Sequence, residues 1–213
     1  MPLQIQTIVS MPFAENTYVV WNDGSPDAIV IDPGTEPDAI LAFLNEQGLT
    51  PVAILNTHGH ADHIAGNADL KAAYPAAPLI IGAGDEPLLT DPDLNVSRSF
   101  GFDVISPPAD RLVREGDTLS IVGQRFDILD IPGHSPGHVV FVVRGQGVVF
   151  GGDVLFRGSI GRTDFPGGNF ETLAEGIRKK LYVLPNDTVI YPGHGPVTRI
   201  GYEKRTNPFV AEE

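Results

Sequence analysis

The sequence predicts an α/β fold in which two sheets pack face to face with helices outside. Two observations carry this expectation. Short β-rich stretches alternate with a few helical ones along the chain, and residues 53–60 and 127–134, in different halves, share one strand-then-histidine pattern. Taken in order, strands are expected at residues 3–9, 17–21 and 28–31, where Val, Ile, Thr and Tyr concentrate. A helix follows at 36–47, with Thr35 as its N-cap and Gly48 just past its end. The apolar run 52–55 reads as a strand, 67–74 as a helix and 79–81 as a strand. Residues 87–108, rich in Pro, Asp and Ser without periodicity, read as a long surface connection in preference to a lid. In the second half, strands are expected at 118–122, 126–129, 139–143, 148–150 and 189–191, with a helix at 170–184. Within that helix Arg178-Lys179-Lys180 reads as a solvated face.

Length and composition narrow the function classes. With 213 residues, 42% of them hydrophobic, and no linker-like tract, one domain over residues 1–213 is expected. The start, Met1-Pro2-Leu3-Gln4-Ile5-Gln6-Thr7, lacks a basic stretch followed by an apolar core, and no apolar run reaches membrane-spanning length. The absence of Cys removes disulfides, thiolate ligands and a cysteine nucleophile together. A cytoplasmic protein without a membrane partner is therefore expected. A net charge of −13 argues against a nucleic-acid partner, because phosphate binding relies on clustered Lys and Arg. The charge is uneven: residues 1–156 hold 6 basic and 20 acidic side chains, residues 157–213 hold 8 and 7. A small anionic substrate is better received beside the C-terminal third. The oligomeric state is not legible.

The chemistry is concentrated in Thr57-His58-Gly59-His60-Ala61-Asp62-His63, which sets three imidazoles and a carboxylate directly after an apolar run. Neutral imidazole and carboxylate suit Zn2+ and the neighbouring first-row ions. The same grammar recurs at His134, Asp153 and His194, each following an apolar run and a Gly-containing turn. Strands running into such turns deliver their ligands to one edge of a sheet architecture. His138, in Ser135-Pro136-Gly137-His138, opens the next strand and is expected to support the ligands by hydrogen bonding.

These residues resemble the metallo-β-lactamase superfamily, whose signature is H-x-H-x-D-H followed by a separate His, an Asp and a final His. Ile31-Asp32-Pro33-Gly34 is similar to its first motif, and the likeness covers nearly the whole chain. Residues 152–168, with Gly161-Arg162-Thr163-Asp164-Phe165, and the tail from Pro192-Gly193-His194-Gly195-Pro196 to Phe209 resemble the short bacterial glyoxalase II type, the hydroxyacylglutathione hydrolases. The resemblance implies a four-layer αβ/βα sandwich and two divalent metal ions, zinc first, with iron or manganese as alternatives. One ion would take His58, His60 and His134, the other Asp62, His63 and His194, with Asp153 bridging and Asp62 and Asp153 as the catalytic carboxylates.

A water shared by two such ions falls from a pKa of about 15.7 towards about 7, so a metal-bound hydroxide needs no separate general base. The expected reaction is hydrolysis of S-acylglutathione thioesters, S-lactoylglutathione giving lactate and glutathione. A thiol pKa of about 8.5 makes thiolate a tolerable leaving group without an acid to protonate it. Arg162 matches the basic residue that contacts the tripeptide in this family, though Asp164 stands where a tyrosine is usual. The guanidinium equally suits a structural ion pair with Asp164, and the sequence leaves both readings open. The helical extension with which larger glyoxalase II enzymes grip glutathione is not expected, since the chain runs only about twenty residues past His194.

Two alternatives stand beside the hydrolase. A glutathione persulfide dioxygenase, with mononuclear iron on His58, His134 and Asp153, is suggested by the Gly-Arg-Thr-Asp-Phe element. Around His194, however, those enzymes resemble Ala-His-Asp-Tyr, whereas this chain has Gly193-His194-Gly195-Pro196. A non-catalytic metal-binding module would be favoured by missing ligands, and none is missing.

Overall fold

A computed structural model describes residues 3–211. Met1 and Pro2, part of the stretch read for a leader, lie outside the described residues, as do Glu212 and Glu213. The first sheet comprises β1 (Leu3–Ser10), β2 (Glu15–Asn22), β3 (Asp27–Ile31), β4 (Thr50–Asn56), β5 (Leu79–Gly82) and β6 (Arg111–Val113), paired in sequence order. It is antiparallel through β3 and parallel from β3 to β6. Helices α1 (Pro37–Gln47), α2 (Ala61–Ile64) and α3 (Asn67–Ala73) interrupt it. The second sheet is built from β7 (Thr118–Ile121), β8 (Gln124–Asp130), β9 (Val139–Val143), β10 (Val148–Gly152), β13 (Val189–Pro192) and β14 (Thr198–Arg199), in the order β14-β13-β10-β9-β8-β7. Between β10 and β13 lie a small hairpin, β11 (Leu155–Phe156) and β12 (Ser159–Ile160), and helix α4 (Phe170–Gly176). Helix α5 (Ile200–Thr206) follows β14.

Period-two alternation along the strands produces the layers. In β9, Val139, Phe141 and Val143 join the core between the sheets, with Tyr18, Ile29, Leu55, Phe126 and Phe150. Val140 and Val142 instead meet Leu173, Ile177 and Leu181 of the α4 region. On the far side, Val19, Val30 and Ile54 of the first sheet pack on Ile40, Leu44 and Leu70 of α1 and α3. Three apolar interfaces separate four layers. Each fully buried Phe of the central one contributes about 1.5–3 kcal/mol, so the strands that carry the site sit on a rigid base.

Several expectations need correction. Thr35 does not cap α1; its hydroxyl bonds to the Met11 carbonyl, and Glu36 takes the N-cap position with no side-chain bond. Pro37 at the first helical position, where a missing N–H costs nothing, moves the start one residue on. Gly48 ends the helix in the left-handed conformation, φ 65°. The helix expected at 170–184 is regular only through Gly176, widens into a π turn at Ile177–Leu181 and stops before Leu184-Pro185, as the residue before a proline disfavours helix. Residues 87–108 are more than a surface connection: Asn95, Val96 and Ser97 are buried and part of the segment walls the site cavity. Strands β6, β11, β12 and β14 and helix α2 are too short to show periodicity in the sequence, and helix α5 is an addition to the expected elements.

β4, β8, β10 and β13 all finish at one edge of the sandwich. There the halves are stitched by backbone bonds from Val139 N–H to the Thr57 carbonyl (2.8 Å) and from Asn16 N–H to the Gly193 carbonyl (2.7 Å).

Candidate metal centre

Each strand end delivers its ligand candidates to the same place. His58, His60, Asp62 and His63 follow β4 and run through α2, His134 follows β8, Asp153 follows β10 and His194 follows β13. The donor atoms of His58, His60 and His134 lie within 4.8 Å of one another, as do those of Asp62, His63 and His194. Asp153 stands between the two sets. Its Oδ1 is 3.5 Å from His63 Nε2, while its Oδ2 is 3.4 Å from His134 Nε2 and 3.6 Å from His194 Nε2. Asp62 Oδ2 lies 3.3 Å from His194 Nε2. Two ligands each about 2.0–2.1 Å from a tetrahedral ion are about 3.3 Å apart, so these separations match those between ligands of one cation.

The orphaned atoms make the same point. His58 Nε2, His63 Nε2 and Asp153 Oδ1 are buried with no hydrogen-bond partner among the described residues, an expensive arrangement unless something else satisfies them. The opposite nitrogens are committed. The Nδ1–H groups of His134 and His194 reach the carbonyls of Arg162 (2.8 Å) and Phe13 (3.1 Å), and His63 Nδ1 meets Asp32 Oδ2 at 3.1 Å. Those contacts hold each ring so that its Nε2 faces the centre. His60 is turned the other way, its Nδ1 2.9 Å from His134 Nε2. The residues fit a divalent metal.

Support comes from His138, which the sequence offered for that role, and from residues the sequence left without one. Asp32 Oδ1 accepts the Thr57 N–H (2.7 Å) and Oδ2 the Thr57 hydroxyl (2.7 Å), in addition to His63. Thus Asp32, although near enough to His58 and His63 to group with them, is occupied as a brace. The resemblance of Ile31-Asp32-Pro33-Gly34 to a family motif was its one signal. Asn16 Nδ2 donates to the carbonyls of Pro192 and Gly195 (both 2.9 Å), clasping the turn that carries His194. Gly193 is required within it, because a Cβ there would strike Asp153 and His63. His138 is fully buried, stacks on His58 at 4.7 Å and accepts the Asp153 N–H through Nε2 (3.0 Å). The Asn95 carbonyl accepts the Ala61 N–H at 3.0 Å, bonding the 87–108 segment to α2.

Electrostatics divide the centre. Burial, reinforced by neighbouring imidazoles, holds His58 and His60 well below the usual histidine value. Burial also disfavours charge on His63, but Asp62, Asp153 and Asp32 outweigh it and raise that imidazole well above the usual value. His194 is raised against burial by Asp62 and Asp153. Although burial acts to raise Asp62, His63 and His194 prevail and hold its carboxyl well below the usual range. Without metal, then, His58 and His60 are neutral, while His63 and His194 keep protons to higher pH. An ion entering beside His63 and His194 must displace those protons. Zinc affinity there is expected to weaken more steeply between about pH 8 and 6 than affinity at the His58 side, as competition titrations of variants lacking one triad would show. Equal pH dependence would contradict this assignment of charge.

Above the centre is a cavity of about 320 Å³ lined by Phe13, Val96, Phe100, Phe102, Phe156, Ile160 and Phe165, with Arg162 the one Lys or Arg among the described residues of its wall. Phe13 meets Phe100 edge-on at 5.3 Å. Arg162 donates from Nε and Nη2 to the two oxygens of Asp164 (2.7 and 2.6 Å), and its guanidinium lies 3.9 Å from the centre of the Phe165 ring. Both members of this pair are more than half exposed, and the bonds to Arg162 hold the Asp164 carboxyl down to about 2. The structural ion pair therefore forms, at the rim of the cavity.

The model of one family, described as the metallo-beta-lactamase superfamily, matches residues 11–194. The chain belongs to that superfamily. Among curated proteins, it is 39% identical over 211 residues to hydroxyacylglutathione hydrolase GloC of Haemophilus influenzae, covering 98% of each chain. The crystal structure of BLEG-1 B3 metallo-beta-lactamase superposes with a TM-score of 0.94 at 38% identity, over 98% of this chain and 100% of that one. TTHA1623, solved in a di-iron-bound form, gives 0.86 at 41% identity over 96% and 99%. The α/β sandwich expected from the sequence is the fold this chain shares with both structures. No described helix is long and apolar enough to cross a membrane.

Proposed function

We propose that this metallo-hydrolase cleaves thioesters, and S-acylglutathiones in particular. The carrying observation is what the cavity wall lacks. Its titratable side chains are the ligand candidates His60, Asp62, His134, Asp153 and His194, plus Arg162. A guanidinium stays protonated, so outside the ligand set no wall residue among the described residues can deliver a proton to a leaving group. Amine departure needs that proton. A thiolate does not, its conjugate acid having a pKa of about 8.5. Two bound cations would supply a water of lowered pKa and Lewis acidity towards the substrate carbonyl. His58, His60 and His134 would hold one and Asp62, His63 and His194 the other, with Asp153 between them. The aromatic wall excludes water and packs the acyl group and the carbons beside sulfur. Arg162 would meet a substrate carboxylate at the rim, since an exposed ion pair such as that with Asp164 opens at small cost.

The name of the Haemophilus influenzae relative supports glutathione as the carrier. TTHA1623 supports iron beside zinc as the metal. The BLEG-1 likeness favours a second reading, β-lactam hydrolysis in the same cavity. Comparing kcat/KM for S-lactoylglutathione with that for a chromogenic β-lactam, alongside oxygen uptake with glutathione persulfide, separates them. Thiol release should dominate. Faster opening of the β-lactam would replace the thioester reading. Arg162→Ala should raise KM for the glutathione thioester about tenfold with a smaller change in kcat, the pattern of lost uniform binding. An unchanged KM with a lower melting temperature would leave Arg162 a structural role only.

A further inference from the structure

We propose that Asp85 is the positioning residue of the His58, His60 and His134 ion site, its one carboxylate tying together the two ligand loops that come from opposite halves of the chain. The inference rests on those three histidines sharing an ion. Asp85 follows β5, is fully buried and takes no part in the cavity wall. Its Oδ2 accepts the Gly59 N–H (3.0 Å) and the Ser135 hydroxyl (2.6 Å), and its Oδ1 accepts the Gly137 N–H (2.5 Å). Gly59 sits between His58 and His60, and Ser135 directly follows His134. The spacing of imidazoles 74 residues apart in sequence is thereby set through a single side chain.

Backbone packing holds the carboxylate in place. A Cβ on Gly84 would strike the Gly137 Cα, and a Cβ on Gly137 would strike the Asp85 nitrogen. The turn before Asp85 and the loop after His134 therefore touch main chain to main chain. The other triad is braced differently, by Asp32 on His63 and by Asn16 around His194. An effect of Asp85 should accordingly stay on one side of the centre, which a general folding role would not do.

The test is zinc affinity, measured by chelator competition in two backgrounds. His194→Ala keeps the His58, His60 and His134 set, and His60→Ala keeps Asp62, His63 and His194. Adding Asp85→Asn turns one acceptor oxygen into an NH2 that faces an N–H or hydroxyl donor. In the first background it should raise the zinc Kd about ten- to hundredfold, and in the second by less than about twofold. Equal weakening in both, or none in the first, overturns the proposal. Should Asp85→Asn fail to fold, Ser135→Ala removes a single donor and is expected to raise the first Kd about threefold and spare the second; an unchanged first Kd overturns it equally. Loss of zinc binding by both parent backgrounds overturns the two-site reading, and this inference with it.

Discussion

Asp153→Ala is expected to lower occupancy on both sides of the centre at once. Among the carboxylates of the described residues, only that of Asp153 lies within 4.0 Å of imidazoles from both triads. Removing it strips a negative charge and one ligand from each side. Metal content should fall from about two equivalents to below one, and thioester turnover by about a thousandfold or more, the several kcal/mol that metal catalysis supplies. Elemental analysis of protein purified without chelator, together with thiol release, measures both. His194→Ala, by contrast, should empty one side. A variant at Asp153 that keeps one ion in full would show that the carboxylate serves a single site.

Asp32→Ala should be the most destabilising change near the centre. It leaves the buried Thr57 N–H and His63 Nδ1–H without acceptors, while the Thr57 hydroxyl can turn to His58 Nδ1, 3.1 Å away. An unsatisfied buried donor costs about 1–3 kcal/mol, so two cost roughly 4 kcal/mol. At about 2–4 °C per kcal/mol for a domain of this size, melting should fall by roughly 8–16 °C. Asp32 also has φ 49°, a conformation that Asn tolerates better than Ala. Asp32→Asn should therefore recover much of the melting temperature while still losing metal affinity, because its amide cannot serve all three donors. A melting temperature within about 2 °C of the parent for the alanine variant would contradict the bracing role.

The ligand candidates were legible because chemistry and local structure coincide in them: an apolar strand, a glycine turn, then a His or Asp. Every strand segment read from the sequence pairs within the two sheets, since β-branched runs buried on both faces, such as Val139–Val143, leave little alternative. What supports the centre was not legible. Asp85 is a single acidic residue in a turn, and its three donors lie 26 to 52 residues away. Asn16 acts across 176 residues and Phe13 meets Phe100 only after folding. The segment 87–108 lacks periodicity because its order comes from tertiary bonds, Asn95 to α2 and Ser106 to Asn67. Arg162 was ambiguous for a further reason: one guanidinium suits either the neighbouring Asp164 or a substrate carboxylate.

The proposed thioester hydrolysis requires two ions around Asp153. Its most direct test is to titrate metal-free protein with Zn2+, and separately with Fe2+, under anaerobic conditions while following thiol release from S-lactoylglutathione. No turnover is expected without metal, and the rate should climb to a plateau near two equivalents per chain. A plateau at one equivalent of iron, with oxygen consumed on glutathione persulfide and no thiol released from the thioester, would contradict it.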